Sequence, residues 1–429
     1  MREPLKIWWV NHYALPPDGA GGTRHYSFAR EFVSRGHEAV VVSCSFDHAT
    51  GRETRLAEGE PYRLETIDGV RFLWLRAPSY RGNNLARLWN MVVFGGRVWS
   101  GRGLRNLAKP DVVIGSSPHL FAAVGAAKLA RTLRVPFVLE VRDLWPQTLR
   151  DLGKLSAIHP AVQTFGYLER YLYRRARRIV TLLPKSAEYI ESKGAQPRST
   201  VCIPNGVDRS LLPPSAPPPE DETFNVLYAG SHGVANGLDS IIEAAEILER
   251  TATAKPVLFR FLGDGPEKKR LMEKVRSRDL RRVRFDPPVE KRSVYRVLQG
   301  ANAFVATLCD SPLYRWGMSL NKLYDYMACG RPVVFGAHVN PDPVADADGG
   351  FSVSPENSAE IAAAICRLTE MSPEERWAMG RRGRDYVLRR HDLGTLATQF
   401  LEVLEDVIRQ YRENPGHAVK ERKRREALN

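Results

Sequence analysis

A proline-rich segment, Leu212–Pro219, constrains the fold of this chain more than any other feature. Five of its eight residues are proline, which cannot continue a helix or occupy a central strand. At 429 residues the chain is also too long for one ordinary hydrophobic core. We therefore expect two domains joined by a stiff linker. The expected divisions are a first domain at 1–210, the linker at 211–222, a second domain at 223–385, a helix at 386–412 that crosses back to the first domain, and a basic tail at 413–429.

Strand-like and helix-like patterns alternate on both sides of this segment. Short apolar runs predict strands, and longer amphipathic runs such as Phe121–Leu133 predict helices. This alternation is typical of parallel sheets covered by helices on both faces. The sequence predicts the α/β class, with two Rossmann-like doubly wound domains that face a central cleft and bind ligands beyond the carboxyl ends of their strands. The predicted strands are Lys6–Val10, Glu38–Ser43, Asp111–Gly115, Pro136–Val141, Arg178–Leu183, Thr200–Ile203, Asn225–Ala229, Val257–Leu262, Arg284–Phe285, Ala303–Thr307 and Pro332–Phe335.

The composition predicts where the protein is located and which kinds of site it lacks. The sequence has no run of about 18 uncharged apolar residues, so it predicts no membrane-spanning helix. Its five cysteines are scattered without a CxxC spacing, which argues against a disulfide framework and against a zinc site. We therefore expect a cytoplasmic protein. The formal net charge of +14 indicates attraction to an anionic partner.

A basic stretch without acidic residues, from Arg76 to Lys109, carries part of this charge. Seven of its residues are basic, and large apolar residues such as Trp89, Phe94 and Trp99 lie between them. Basic side chains mixed with large apolar ones suit the interface of an anionic bilayer. We therefore expect peripheral attachment to the cytoplasmic face of a membrane. The alternative is that the apolar residues face the core and the arginines are merely solvated.

The segment Trp316–Val334 carries the strongest functional pattern. An apolar stripe predicts a helix that Ser319 caps, which places Asn321 and Lys322 at its N-terminus. The positive end of a helix dipole suits a diphosphate, and Lys322 adds a further charge. Asp325 lies one turn later on the same face, where it could bind the hydroxyl groups of a ribose. These residues predict a site for a nucleoside diphosphate.

The same segment resembles the signature of glycosyltransferase family 4, in which two glutamates eight residues apart precede a helix and a small-residue-Gly-x-Pro run. Asp325 stands at the second glutamate and Gly317 at the first, so the usual carboxylate contact with the donor sugar is missing. The resemblance covers nearly the whole chain. Its other motifs are the Gly21-Gly22 pair, Arg35–Glu38, the turn Ile203–Asp208 and the strand end Phe261–Pro266.

This resemblance implies the GT-B fold and a glycosyltransferase that retains the configuration of the transferred sugar. The donor, a UDP-sugar, would lie on the second domain, and the acceptor, a saccharide on a polyprenyl diphosphate, against the first. No cofactor is implied, and the sequence has no DxD-type pair flanked by an apolar strand, so we expect no metal.

The loop after the first strand of the second domain departs from the family pattern. The family usually has an arginine and a lysine there for the donor phosphates, where this chain has Ser231 and Asn236. A loop with these residues resembles the loop of a bacterial subgroup of the family. This subgroup assembles O-antigen, capsule or exopolysaccharide and includes fucosamine transferases. The phosphates would then bind to backbone N–H groups of Gly230, Ser231, His232 and Gly233 with support from Lys322.

The loop after Pro136–Val141 supplies candidates on the acceptor side. Arg142, Asp143 and Trp145 follow the strand end, where charged residues and a tryptophan are costly to order without a function. Asp143 is the nearest group able to accept a proton from an acceptor hydroxyl. The catalytic histidine that family members often carry in this loop corresponds to Arg142.

Two histidines are alternative catalytic bases. His25 lies just inside the helix after Gly21 and Gly22, two glycines that we also expect on the acceptor side, and His119 follows a predicted strand. Each histidine is also compatible with a purely structural role.

Two other classes of protein remain open from the residues. A nucleotide-sugar epimerase could share the two-domain plan, but it would not need a membrane-facing patch. A nucleic-acid-binding protein could use the basic clusters, although no recognition helix or RNP-like strand is evident.

Overall fold

The computed structural model describes residues 3–18, 22–48, 50–82, 84–153, 156, 158–217 and 221–413. They form two compact units. The first unit contains 3–16, 23–204 and 394–413, and the second contains 17–18, 22 and 205–393. The units thus divide between Pro204 and Asn205, somewhat before the expected end of the first domain at 210. Residues 414–429 of the expected basic tail lie outside the described part of the chain.

The proline-rich segment belongs to the second unit as far as it is described. The buried guanidinium of Arg331 donates hydrogen bonds to the carbonyl oxygens of Ala216 and Pro217, at 2.8 and 3.3 Å. Arg331 therefore fastens Ala216 and Pro217 to the second unit, to which the described residues of the expected stiff linker belong.

The first unit is built on a mostly parallel sheet. Its strands are β1 (Lys6–Val10), β2 (Glu38–Cys44), β3 (Phe46–Asp47), β4 (Arg52–Glu53), β5 (Tyr62–Ile67), β6 (Val70–Leu75), β7 (Val112–Ser116), β8 (Phe137–Val141), β9 (Arg178–Thr181) and β10 (Thr200–Cys202). Within the described residues, eight strands form the sheet in the order β10-β9-β8-β7-β1-β2-β6-β5, and only the β5–β6 pair is antiparallel. The six strands that the sequence predicts here are confirmed, with small shifts at their ends.

The β5–β6 hairpin is absent from the predictions, although the sequence contains a signal for it. Asp68 and Gly69 form its turn with φ angles of 48° and 80°. An Asp-Gly pair between two strand-like runs is a strong hairpin signal because both residues tolerate positive φ.

Six helices of this unit precede the second unit in the described part of the chain. They are α1 (Arg24–Ser34), α2 (Leu85–Trp99), α3 (Leu120–Leu133), α4 (Gln147–Asp151), α5 (Pro160–Arg175) and α6 (Ala187–Ser192). Helices α2 and α3 cross in close contact at two glycines. A Cβ on Gly125 would lie 2.4 Å from the carbonyl oxygen of Gly95, and one on Gly95 would lie 2.6 Å from that of Phe121. Glycine is required on both helices for this approach.

The second unit repeats the plan with a parallel sheet. Its strands are β11 (Phe224–Ala229), β12 (Val257–Leu262), β13 (Val283–Asp286), β14 (Ala303–Thr307), β15 (Val333–Gly336) and β16 (Gly350–Val353). Within the described residues their order is β13-β12-β11-β14-β15-β16. The helices are α7 (Leu238–Glu249), α8 (Lys268–Ser277), α9 (Lys291–Leu298), α10 (Asn321–Ala328), α11 (Pro343–Ala347), α12 (Ser358–Glu370) and α13 (Pro373–Arg390).

The chain returns to the first unit through a helix whose bounds differ from those of the expected helix at 386–412. Helix α13 belongs to the second unit and ends at Arg390, and a separate helix, α14 (Leu393–Glu413), begins three residues later. In the first unit Phe400 of α14 packs edge-on against Trp9, with ring centroids 5.0 Å apart. The guanidinium of Arg35 donates to the carbonyl oxygen of Gly394 at 2.7 Å.

Each sheet contains one place where the strand order reverses. In the first unit the chain proceeds from β1 toward β2 on one side and later resumes with β7 on the other side. In the second unit the corresponding neighbours are β11 and β14. The carboxyl ends of such neighbouring strands form a crevice, which is where open α/β sheets bind ligands.

We expect Gly125→Ala to lower the free energy of unfolding of the first unit by about 1–3 kcal/mol, the usual cost of overpacking. Urea unfolding followed by tryptophan fluorescence measures this change. Gly96→Ala is the matched control, because a Cβ there meets nothing within 4 Å. That variant should gain up to about 1 kcal/mol from the better helix propensity of alanine. Equal effects of the two substitutions would contradict the close crossing of α2 and α3.

Candidate functional site

The loop after β11 lies unusually close to the loop after β12. A Cβ on Gly263 would fall 2.1 Å from the carbonyl oxygen of Gly230, and one on Gly265 would fall 2.6 Å from that of His232. These glycines have φ angles of 137° and 157°, which other residues rarely adopt. The backbone around Gly230 and His232 is therefore held in one conformation by its neighbours.

Lys322 reaches this loop from the first turn of α10. Its ammonium donates hydrogen bonds to the Tyr228 hydroxyl at 2.6 Å and to Oδ1 of Asn236 at 2.7 Å, and it lies 4.5 Å from the centre of the Tyr228 ring. A Cβ on Gly230 would be 3.0 Å from this ammonium. The structure thus brings Lys322, Gly230 and Asn236 together. The sequence analysis missed Tyr228, a strand residue with nothing to distinguish it from the core.

The charge of Lys322 is not balanced by a carboxylate, as no ion pair of this residue occurs in the described part of the chain. Burial lowers the pKa of Lys322 from its ordinary value to about 7. An anion bound beside the ammonium would favour its charged form and raise that pKa again.

The expectation that all N–H groups of Gly230–Gly233 bind phosphate is wrong for two of them. The N–H of Gly230 donates to the carbonyl oxygen of Leu262 at 2.9 Å, and that of His232 donates to the carbonyl oxygen of Asp264 at 2.8 Å. The contacts that hold the loop occupy these groups. The N–H groups of Ser231 and Gly233 make no backbone hydrogen bond within the described residues and are left for a ligand.

His232 is fully buried beside the rings of Tyr228 and Phe285, with centroids 5.9 Å away in each case. Neither of its ring nitrogens has a hydrogen-bond partner within the described residues. Burial and the nearby charge of Lys268 lower the pKa of His232 to about 4, so its imidazole is neutral at pH 7. Buried polar atoms without partners are rare in proteins, which makes His232 a candidate ligand-binding group.

Ser319 does not cap α10, contrary to expectation. The N-cap position is Leu320, and no side chain caps this helix. The Ser319 hydroxyl instead accepts the backbone N–H of Asn205 at 2.8 Å, and the Asn205 amide donates to the Ser319 carbonyl at 2.7 Å. Ser319 therefore ties Asn205 to the approach of α10, and no cap side chain among the described residues accepts from the first N–H groups of this helix.

Asp325 lies one turn after Asn321, as predicted, and the hydroxyl of buried Tyr295 donates a short hydrogen bond to its carboxylate. Burial and the charge of Asp325 raise the pKa of Tyr295 well above its ordinary value. Gly317 has a φ of 82°, so the position of the missing glutamate also has a backbone conformation that favours glycine.

One glycine expected on the acceptor side belongs to the second unit. Gly22 is grouped with that unit, and a Cβ on it would lie 3.0 Å from the side-chain nitrogen of Asn321. Its neighbour Gly21 lies outside the described residues.

In the first unit, a buried polar network lies at the carboxyl ends of β7 and β8. Glu140 is completely buried and accepts from Arg24 at 2.8 Å, from the Ser116 hydroxyl at 2.6 Å and from Nε2 of His25 at 3.0 Å. Burial alone would raise the pKa of Glu140, but the charge of Arg24 and the contact with His25 hold it well below its ordinary value. Arg24 also donates to the carbonyl oxygen of Ile203 at 2.9 Å.

This network changes the interpretation of His25. The ring is buried, and burial lowers its pKa to about 4 despite the neighbouring carboxylate. Because Nε2 is directed at Glu140, the arrangement favours a structural role for His25. The sequence analysis missed Arg24 and Glu140, since only the fold brings these distant residues together.

His119 is buried at the N-cap of α3, where its Nδ1 accepts the N–H of Ala122 at 2.9 Å. This bond leaves the ring proton on Nε2, the nitrogen without a partner in the described structure. In this tautomer the available nitrogen of His119 is a hydrogen-bond donor and not a base.

Arg142, Asp143 and Trp145 lie together after β8, as predicted. The Ser117 hydroxyl accepts the N–H of Arg142 at 2.9 Å, and the Trp145 ring packs edge-on against Phe165 at 5.8 Å. Asp143 is exposed along part of its surface, yet the protein atoms packed around its carboxyl raise its pKa, against the opposing charge of Arg142. A raised pKa suits a general base.

The described residues contain no group of three or more His, Cys, Asp or Glu side chains that could hold a metal ion. Whether the reaction needs a metal stays a prediction.

Comparison with known proteins identifies both units. Residues 19–206 match the model of the "Glycosyl transferase 4-like domain", and residues 223–371 match that of "Glycosyl transferases group 1". WcaI of Escherichia coli (strain K12), named as a candidate glycosyl transferase of colanic acid biosynthesis, is 25% identical over 59% of this chain and 65% of its own length. The alignment thus spans less than two thirds of WcaI. The "Probable glycosyltransferase WbjE" of Pseudomonas aeruginosa is 23% identical over 73% of this chain and 79% of its own length.

Solved structures show the same fold. Sucrose-phosphate synthase (tll1590) from Thermosynechococcus elongatus superposes with a TM-score of 0.74 at 16% identity, over 95% of this chain and all of that one. HepE (Alr3699) of Anabaena, in complex with UDP-glucose, superposes with a TM-score of 0.66 at 18% identity, over 94% of this chain and all of that one. The chain belongs to glycosyltransferase family 4, and it is a glycosyltransferase with the GT-B fold.

Proposed function

We propose that this enzyme transfers a sugar from a UDP-sugar to a lipid-linked saccharide during the synthesis of a bacterial surface polysaccharide such as O-antigen, capsule or exopolysaccharide. The environment of Lys322 is the main support for the part of the proposal that concerns the donor. Its ammonium lies at the β11–β14 crevice beside Gly230, held by neutral groups and without an ion pair in the described part of the chain. Such a group needs an anion, and the donor diphosphate supplies one.

Other groups at the same crevice support a diphosphate. The uncapped start of α10 offers N–H groups and the positive end of a helix dipole. The N–H groups of Ser231 and Gly233 and the ring of His232 belong to the loop after β11, whose Gly230 lies beside the Lys322 ammonium. Asp325, oriented by Tyr295, would bind the ribose hydroxyls. When the sugar leaves, Lys322 and the helix dipole would stabilise the charge that develops on the diphosphate.

The acceptor half of the proposal draws on the relatives and on the loop after β8. The name of WcaI refers to colanic acid biosynthesis, and we extend a role in surface polysaccharide synthesis to this chain. Asp143 would accept the proton of the attacking hydroxyl, and Arg142 and Trp145 would line the acceptor side. We propose retention of configuration and independence of metal from the family resemblance.

Helix α2 supports contact with a membrane. Its inner face buries Met91, Phe94 and Val98, so part of the predicted patch belongs to the core. Its outer face exposes Leu85 by 82% and Trp89 by 59%. Exposed Arg81, Arg102, Arg105 and Lys109 flank this face.

Such a stripe fits the interface of an anionic bilayer, which accepts apolar and basic side chains together. None of the helices in the described part of the chain has the length and apolar character needed to span a membrane. We propose peripheral attachment through α2 to the cytoplasmic face, where a lipid-linked acceptor would be within reach.

Replacing Lys322 by methionine should weaken UDP binding by about 1.5–3 kcal/mol, the usual worth of a hydrogen bond to a charged group, and leave uridine binding unchanged. Calorimetry with UDP and uridine measures both. Exposed Lys269 on α8 provides the control, since Lys269→Met should bind both ligands as the wild type does. Equal losses for UDP and uridine in the Lys322 variant would remove this residue from the phosphate site.

UDP-glucose binding should also be linked to protons. The free site has a Lys322 pKa of about 7, and a bound diphosphate raises it, so binding takes up a proton above pH 7 and affinity falls as pH rises. Below about pH 6 the lysine is already charged, and the linkage disappears. Calorimetry in buffers of different ionisation enthalpy measures the uptake, which should be absent from Lys322→Met.

Introducing aspartate at both Leu85 and Trp89 should abolish sedimentation with vesicles that contain phosphatidylglycerol. Insertion of an apolar side chain contributes about 1.5–3 kcal/mol, and the new carboxylates are repelled by the lipid. The same double change at Ile247 and Met272, which are exposed on the second unit, should have no effect. Turnover of a short-chain acceptor should survive in both variants. Unchanged sedimentation of the Leu85/Trp89 variant would show that α2 is not the contact.

A further inference from the structure

Two buried histidines meet at the β1–β7 crevice of the first unit. His12 follows β1 and His119 follows β7, and these parallel strands are paired so that Val10 lies opposite Gly115. The two rings are only 2% and 1% exposed. They stack with centroids 4.4 Å apart and an angle of 10° between their planes.

Hydrogen bonds fix the proton positions in His12. The Asn90 amide nitrogen donates to the carbonyl oxygen of Pro78 at 2.7 Å, so the amide oxygen must be the atom that faces His12. Nε2 of His12 donates to that oxygen at 2.7 Å, and the lone pair of the ring is left on Nδ1. His119 has the opposite arrangement, with its proton on Nε2, because its Nδ1 accepts the N–H of Ala122.

The two remaining ring nitrogens form a complementary set. Nδ1 of His12 is an acceptor and Nε2 of His119 is a donor, and neither has a partner in the described structure. Burial lowers the pKa of His12 to about 3 and that of His119 well below its ordinary value, so both rings are neutral. The pair carries no charge for a phosphate, and the lone pair on Nδ1 of His12 would repel one. A hydroxyl group, which both donates and accepts, can serve one acceptor and one donor on two stacked rings.

We propose that His12 and His119 form a subsite for the hydroxyl groups of a neutral sugar, in which a sugar hydroxyl donates to Nδ1 of His12 and Nε2 of His119 donates to a sugar oxygen. The proposal rests on the proposed function, since the first domain is the acceptor side of the enzyme, and the sugar would belong to the acceptor saccharide. It gives His12, which the sequence analysis did not select, a direct contact with substrate.

Nitrogen NMR of protein labelled with ¹⁵N-histidine tests this subsite in the presence of saturating UDP. The probes are the methyl glycosides of glucose, galactose, mannose, N-acetylglucosamine, rhamnose and fucose, with inorganic phosphate as the anionic control. We expect at least one glycoside to shift both the His12 Nδ1 and the His119 Nε2 resonances and phosphate to shift neither. The proposal is overturned if no glycoside shifts these resonances, which is the result expected if a bound water occupies the two nitrogens. An equal shift with phosphate also overturns it.

Two variants make the assignment specific. His119→Asn keeps a good N-cap but removes the ring N–H, and His12→Phe keeps a ring without the acceptor. Each should weaken binding of the responding glycoside about tenfold, or about 1.4 kcal/mol. His159→Asn is the matched control, because His159 is an exposed N-cap histidine of α5 in the same unit. Unchanged glycoside affinity in His119→Asn overturns the proposal even if His12→Phe fails to fold.

Calorimetry with UDP separates this test from that of the donor site. Both histidine variants should bind UDP as the wild type does. If the wild type itself fails to bind UDP, the proposed function is wrong in its donor half, whereas loss of the glycoside response alone concerns only the histidine pair.

Discussion

A parallel sheet that grows to both sides of its first strand must reverse its winding once, because each strand crossover is right-handed. In the two units this reversal lies between β1 and β7 and between β11 and β14. The loops that leave the two strands at a reversal turn to opposite faces of the sheet, and the space between them is open to a ligand. Two groups described above depend on this constraint, since Lys322 lies at one reversal and the His12–His119 pair at the other.

The buried polar groups of the two units differ in whether they have hydrogen-bond partners. Around Glu140 each acceptor oxygen has donors, and the charge of Arg24 balances the carboxylate. At the reversals, by contrast, the rings of His12, His119 and His232 keep atoms without partners in the described structure. A buried polar atom without a partner costs about 1–3 kcal/mol. The three histidines therefore lower the stability of the fold at the reversals, whereas the network around Glu140 avoids this cost.

The strands and the start of α10 could be predicted because they depend on local sequence. Buried parallel strands are continuous apolar runs, and Lys322 precedes an apolar stripe of helical period. The cap was predicted wrongly because Ser319 has a partner, Asn205, that lies 114 residues away in the sequence. His12 depends in the same way on Asn90, 78 residues away. No pattern within a short window contains such a pair.

The lowered pKa of Lys322 has a consequence for the choice among anions in the cell. An ammonium whose burial lowers its pKa to about 7 is partly uncharged in the empty site at neutral pH. An empty site of this kind has no permanent charge with which to hold inorganic phosphate or other abundant small anions. Only a ligand that also contacts the other groups of the crevice gains enough binding free energy to offset the cost of charging the lysine. The buried lysine thus favours binding of the complete nucleotide over binding of its fragments.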